Sequence, residues 1–383
     1  MNKNKLKLKD ILPDDLRGVA ELHVHLGGSV PIYRLWEMGM SRGIRGVGDS
    51  YEDFISLLHR RSDSLQNLDD YLAVFDTVEL IQAGPQAVRE SIMVAINGAY
   101  RTGGMSRLAP GGEGGDPEPA FSITQLELRF NPLKRTGAHK TRSGISGLYD
   151  VDRIIRAACE AAEESEIAYR SKIQTGLISC FGRDMSWEMN RILAEKIAFW
   201  RSTQRKIIGV DLAGPESALT LESDKDLAQI AELYDIAAGD ELGRTVHVGE
   251  TPHISIDTFI NTIEACKAHR VGHPVIAAKA WWEKKDARGL KLLADRNICC
   301  ELCVKSNLLT RAIKDAEEYK KFIMTLDEFG VAYTFSTDSP ALQLTTLGQE
   351  LQFLLDEDAI NEEQVIRALR KAKEVSFINR KFK

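Results

Sequence analysis

The chain contains no apolar run of about 18 residues, so nothing in it reads as a membrane-spanning helix. Its first ten residues, Met1 to Asp10, are basic, but no apolar core follows them, which argues against a secretory leader. A strong charge bias is missing too. Lys and Arg number 50 against 56 Asp and Glu, and the formal net charge of -6 argues against nucleic acid or an anionic membrane as the main partner. Cysteines are few. The six, at 159, 180, 266, 299, 300 and 303, form no Cys-x-x-Cys and fall largely in apolar segments, as expected of buried small hydrophobes in a reducing compartment. These absences lead us to expect a soluble cytoplasmic protein. Its 383 residues, 43% of them hydrophobic, suffice for one large domain or two ordinary ones.

What is present begins with Ala20-Glu21-Leu22-His23-Val24-His25-Leu26-Gly27-Gly28-Ser29, a strand pattern ended by a glycine pair. Strand side chains repeat with period two, so His23 and His25 share a face, roughly 6–7 Å apart along the backbone. Two imidazoles on one rigid strand supply half of a metal's coordination sphere. In isolation the pair also fits two histidines satisfied by hydrogen bonds on a half-buried strand, and partners elsewhere decide between the readings.

Residues 31–100 carry helical periodicity and predict several extra helices over one end of the first strand. Phe54, Leu57, Leu58 and Tyr71 are candidates for an apolar lid there. Residues 102–120 are too rich in Gly and Pro for regular structure and read as a flexible insertion within one domain spanning 1–383. Beyond it, strand-like runs at 123–130, 172–181, 207–213, 245–248, 270–272, 298–304 and 331–337 alternate with helical stretches such as 151–168, 186–202, 224–237 and 257–268. With the opening strand this makes eight strands and points to an α/β (β/α)8 TIM-type barrel, although a doubly wound open sheet gives similar alternation.

Barrel chemistry sits at the C-terminal strand ends. Four of the eight histidines fall at such ends: His23 and His25, His247 and His273. Other polar residues there include Glu127, Arg129, Asn131, Asp211, Ser306, Asn307 and Asp338. His23, His25, His247 and Asp338 together make a donor set for one divalent metal with a position left for water. Glu250, three residues past His247, is placed to exchange a proton with the substrate, His273 to orient or deprotonate the attacking water, and Asp338 to share that task. Singly, Asp338 also reads as a helix cap, Glu250 as a solvated charge and His273 as a turn histidine. The joint pattern favours a metallohydrolase.

At these residues the chain resembles the adenosine deaminase family, a branch of the metal-dependent amidohydrolases. The resemblance runs from Ala20 to about Leu351 through His-x-His-Leu-x-Gly-Ser at 23–29, Glu-Leu-Arg-Phe-Asn-Pro at 127–132, Gly-Val-Asp-Leu-Ala-Gly-x-Glu at 209–216, His-x-Gly-Glu at 247–250, Val-Gly-His at 271–273 and Ser-Thr-Asp-x-Pro at 336–340. It implies one Zn2+ held by His23, His25, His247 and Asp338, and hydrolysis of a small 6-aminopurine, adenosine or deoxyadenosine by default, to the 6-oxo form with release of ammonia. It implies further that Glu250 protonates purine N1, that His273 assists attack at C6, that the Gly214 N–H contacts N3, and that His25 lies against the substrate. Two departures from the family pattern bear on the substrate. Gly27 stands where an aspartate contacts the 5′-hydroxyl, leaving room for a bulkier or anionic 5′ substituent. Ser339 replaces an aspartate that meets N7, where its hydroxyl can still donate. Pro274 replaces a glycine and stiffens its turn. The cationic segment 134–142 reads as a solvated loop, with a phosphate contact as the alternative.

Overall fold

Eight parallel strands follow one another around a single sheet in chain order. They are β1 (Gly18–His25), β2 (Ser122–Phe130), β3 (Gln174–Gly182), β4 (Ile207–Ala213), β5 (Gly243–His247), β6 (Arg270–Gly272), β7 (Cys299–Leu302) and β8 (Tyr333–Phe335). This computed structural model describes residues 6–44, 47–63, 67–102, 120–137, 140–141, 144–145 and 150–379. The last strand meets the first: Val24 and Asp338 form a parallel bridge, in which His25 N–H donates to Asp338 O at 2.7 Å and Asp338 N–H to His23 O at 2.9 Å. That contact makes the sheet a (β/α)8 barrel and rules out the doubly wound alternative.

Strands β7 and β8 are shorter than their apolar runs suggest. Val304 already opens the helix Val304–Leu309, and beyond Phe335 side chains take over from the backbone ladder. Ser336 Oγ accepts from the N–H groups of Leu22 and His23 at 3.3 and 3.1 Å, and Thr337 Oγ1 donates to Glu21 Oε1 at 2.5 Å.

The helices around the barrel begin on side-chain caps. Ser186, Ser223 and Ser255 each accept from the N–H three residues on, ahead of an acidic first turn. Between β1 and β2 the expected extra helices are Ile32–Ser41, Tyr51–Asp63, Leu68–Leu72, Phe75–Ile81 and Pro85–Thr102. Phe54 and Leu58 bury into a satellite core of this segment with Leu35, Val78 and Ile81. They are its packing, not a lid. Residues 103–119 of the expected insertion, and 138–139 and 142 of the basic segment, lie outside the described residues. No helix among the described residues is long and apolar enough to cross a membrane.

The outer faces of the strands are apolar, whereas the barrel interior is charged. Asp211, Arg129, Glu301, Arg270 and Glu127 form a chain of ion pairs at 2.6–2.9 Å, and none of the five side chains is exposed. Glu127 belongs to the closed end of the barrel rather than to the site: its Oε1 accepts from Phe377 N–H and Ser376 Oγ, tying down the C-terminal segment.

Behind β7 and β8, Glu350 is buried, and Lys305 N–H donates to its Oε2 at 2.9 Å. Burial pushes this carboxyl up to about 8, against the pull of its backbone donors. The folded state thus binds a proton that the unfolded chain releases near pH 4.5, so this stabilising contribution is complete below that pH and is lost as pH rises toward 8. Relative to Glu350→Gln, wild-type stability is expected to fall by roughly a few kcal/mol between pH 5 and 8 in denaturant titrations. A pH-independent difference would mean that Glu350 titrates normally.

Candidate active site

The strand ends bring the four candidate ligands together. His23 and His25 leave β1 with ring centroids 5.3 Å apart, and His247, ending β5, lies 4.6 and 5.1 Å from them. His25 Nε2 sits 3.1 Å from His247 Nε2 and 3.6 Å from Asp338 Oδ1. The outer nitrogens are held from behind: His23 Nδ1 lies 2.7 Å from Glu301 Oε2, and His247 Nδ1 lies 3.1 Å from Asp211 Oδ1. Donation from each Nδ1–H leaves an Nε2 lone pair pointing inward. Burial, reinforced by Arg129, drives the His23 pKa well down, and burial takes His25 to about 3. At His247 burial opposes protonation, but the Asp211 charge wins and raises it. Asp338 stays below the usual carboxylate range; burial opposes this, and His25, His273 and a hydrogen bond from Ser306 outweigh it. His23 Nε2 is buried without any partner. An orphaned lone pair amid three imidazoles and one carboxylate fits a divalent cation. Cys303 lies within 4.8 Å of His23, His273 and Asp338, but burial holds its thiol protonated.

Around this cluster stand Glu250 and His273. Gly249 takes φ +92, a conformation open to glycine, and turns the chain so that Glu250 enters the cavity wall. Glu216 holds that turn, accepting from the N–H groups of Gly249 and Thr251 at 2.6 and 2.8 Å and from Thr251 Oγ1 at 2.5 Å. Burial raises the Glu250 pKa, and Thr310 Oγ1 donates to its Oε1 at 2.8 Å. Asn307 Nδ2 lies 3.0 Å from His273 Nδ1, and His273 Nε2 faces Asp338 Oδ2 at 3.7 Å. His273 and Asp338 both sit at positive φ, +55 and +61, a strained setting for side chains that the surrounding hydrogen bonds must hold. Glu301 and Thr310 were not singled out from sequence, and Glu216 entered only as the last residue of the 209–216 motif, without a role. The available signal was a lone acid inside an apolar strand, Cys299-Cys300-Glu301-Leu302.

A cavity of about 390 Å3 opens above these groups, lined by His25, Gly27 and Gly214 as expected, together with Glu250, His273 and Asp338. Its apolar wall comes from Leu68, Tyr71, Leu72 and Phe75; of the lid residues expected, Tyr71 alone is among them. Ser339 does not line the cavity. Its Oγ donates to Asp338 Oδ1 at 3.1 Å, and it packs so closely on Gly28 that a Cβ there would come within 2.2 Å of it. Lys134 and Arg135 correct the solvated-loop expectation. The 3-10 turn Leu133–Arg135, braced by Asn131 Oδ1, carries both into the cavity lining, and Arg135 is only 2% exposed.

Residues 120–383 match the family model described as adenosine deaminase. Among similar proteins, the adenosine deaminase of Clostridium acetobutylicum is 24% identical over 95% of this chain and 94% of its own length, and that of Bos taurus is 24% identical over 94% and 89%. A probable adenosine deaminase of Dictyostelium discoideum is 24% identical over 94% of this chain, which spans only 40% of that longer protein. Solved structures share the fold: an adenine deaminase from Arthrobacter aurescens at TM-score 0.71 and 17% identity, covering 94% of this chain and 93% of that one, and an Arabidopsis N6-mAMP deaminase at 0.69 and 18%, covering 95% of each. With a family match over more than half of its length, the chain belongs to the adenosine deaminase family and is a metal-dependent amidohydrolase.

Proposed function

We propose that the protein hydrolyses the 6-amino group of an adenine nucleoside, adenosine or deoxyadenosine by default, releasing ammonia, with one zinc ion on His23, His25, His247 and Asp338. The observation that carries this is Glu250: a buried carboxyl with a raised pKa, held at the cavity wall beside the ligand cluster. Bound zinc supplies Lewis acidity toward the attacking water. Attack at C6 breaks the aromaticity of the ring, and a proton delivered by Glu250 to N1 removes the negative charge that would build there. Thr310 occupies Oε1 of Glu250, which leaves Oε2 to carry that proton. The amide of Asn307 lies 3.0 Å from His273 Nδ1 and fixes the ring, whose Nε2 faces Asp338 and orients the attack. The Gly214 N–H is assigned to N3. Ser339 acts through Asp338. A second reading, a nucleoside substituted at its 5′ position, is favoured by the absence of a side chain at Gly27.

Zinc-loaded protein is expected to release ammonia from adenosine, deoxyadenosine or a 5′-substituted analogue, with the ultraviolet change from 6-amino to 6-oxo purine. Turnover of none of them would overturn the proposal. Glu250→Gln should lower kcat by roughly 10²–10⁴-fold with zinc content intact, and near-normal turnover would remove Glu250 from proton transfer. Glu301→Gln removes the charge behind His23. Zinc affinity, measured by competition with a chelating dye, is expected to weaken about 10–100-fold.

A further inference from the structure

We infer that Ser376 and Phe377 position the metal site from the opposite end of the barrel: docked there, they hold the buried ion-pair chain that ends on His23, so that docking of the C-terminal segment and zinc affinity are coupled. The inference rests on the metal reading above.

The helix Glu362–Val375 delivers the segment to the closed end, where both residues are buried. Phe377 fits only because two strands lack a side chain beneath them: a Cβ at Gly209 would stand 2.9 Å from its ring, and one at Gly243 2.2 Å. The ring therefore wedges under β4 and β5, two residues before Asp211 and four before His247. Against it lies Arg270, whose guanidinium carbon is 3.6 Å from the ring centroid and whose Nη1 donates to Val375 O at 3.1 Å.

From this clamp the chain reaches the ligand cluster through charged groups alone. Ser376 Oγ and Phe377 N–H donate to Glu127 Oε1 at 2.8 and 2.6 Å, and Arg270 Nη2 donates to Glu127 Oε2 at 2.6 Å. Arg270 Nε then faces Glu301 Oε1 at 2.7 Å, and Glu301 Oε2 meets His23 Nδ1 at 2.7 Å. Each carboxylate turns one oxygen toward the C-terminal segment and the other toward the site. Glu301 can orient His23 only while it is itself held, by Arg129 on one oxygen and Arg270 on the other. Undocking strips Glu127 of two donors and Arg270 of a carbonyl and an aromatic face, and it admits water to the closed end. Hydrated charges sample other arrangements, which zinc must then freeze out, and water screens the negative interior that attracts the cation. Both effects weaken zinc.

Zinc affinity is measured by competition with a chelating dye in the full-length protein, in Phe377→Ala and, as a control for packing lost elsewhere, in Leu58→Ala of the satellite core. Phe377→Ala is expected to weaken zinc about 3- to 10-fold, less than Glu301→Gln because it acts through two intervening ion pairs, and Leu58→Ala to leave it unchanged. Coupling is reciprocal, so saturating zinc should slow hydrogen exchange at Phe377 N–H by the same factor, with the amides of the helix Tyr51–Asp63 unaffected. That measurement needs no variant and decides the matter if Phe377→Ala fails to fold. Equal losses in the two variants, no loss in Phe377→Ala, or zinc slowing all amides alike would overturn the inference. Wild-type protein that binds no zinc would sink the metal reading and the inference with it, whereas zinc binding and ammonia release indifferent to Phe377 would sink the inference alone.

Discussion

The structure depends on the seam where the barrel closes. Asp338 exchanges backbone hydrogen bonds with His23 and His25, so one pair of contacts joins the two ends of the sheet and sets three of the four candidate ligands around one point. Backbone pairing fixes Cα positions far more tightly than side-chain contacts do. The spacing of the ligands is therefore inherited from the barrel, and cannot drift without opening it. Asp338 carries the strain of a positive φ at this junction, where hydrogen bonds on both sides hold it.

Behind the seam runs the alternating chain Asp211–Arg129–Glu301–Arg270–Glu127. Buried ion pairs are a poor source of stability, because desolvation offsets most of the attraction, yet breaking one strands a charge. Their work here is orientation. Arg129 bridges Asp211 and Glu301, the two carboxylates that hold His247 and His23, so both rings are locked by one cation. Three carboxylates against two guanidiniums leave one negative charge, and Asp338 adds a second. The buried interior is thus electrostatically prepared for a divalent cation.

Much of this was legible in the sequence. His-x-His, His-x-Gly-Glu, Val-Gly-His and Ser-Thr-Asp each declare themselves at a strand end, because ligands must stand where a strand stops and a loop begins. The supporting residues were harder to see. Glu301 looks like a misplaced charge in an apolar strand, and its meaning appears only when the barrel turns that face inward toward His23. Glu216 closes the 209–216 motif, but its partners are backbone N–H groups of a loop 33 residues away, which the motif does not reveal. Arg135 was hidden in a basic run whose composition resembles any surface loop, and only the turn after β2 directs it inward. The pocket is less legible than the metal cluster, since its walls come from helices whose packing is set by shape rather than by period.

The closing seam also orders events in time. Its hydrogen bonds join residues more than 300 positions apart, the most expensive kind of contact for a chain to find. During synthesis His23 and His25 are made early, and they wait for most of the chain before Asp338 arrives. The full ligand set is therefore among the last features to form, and a chain halted before its eighth strand holds three ligands and an unsealed edge.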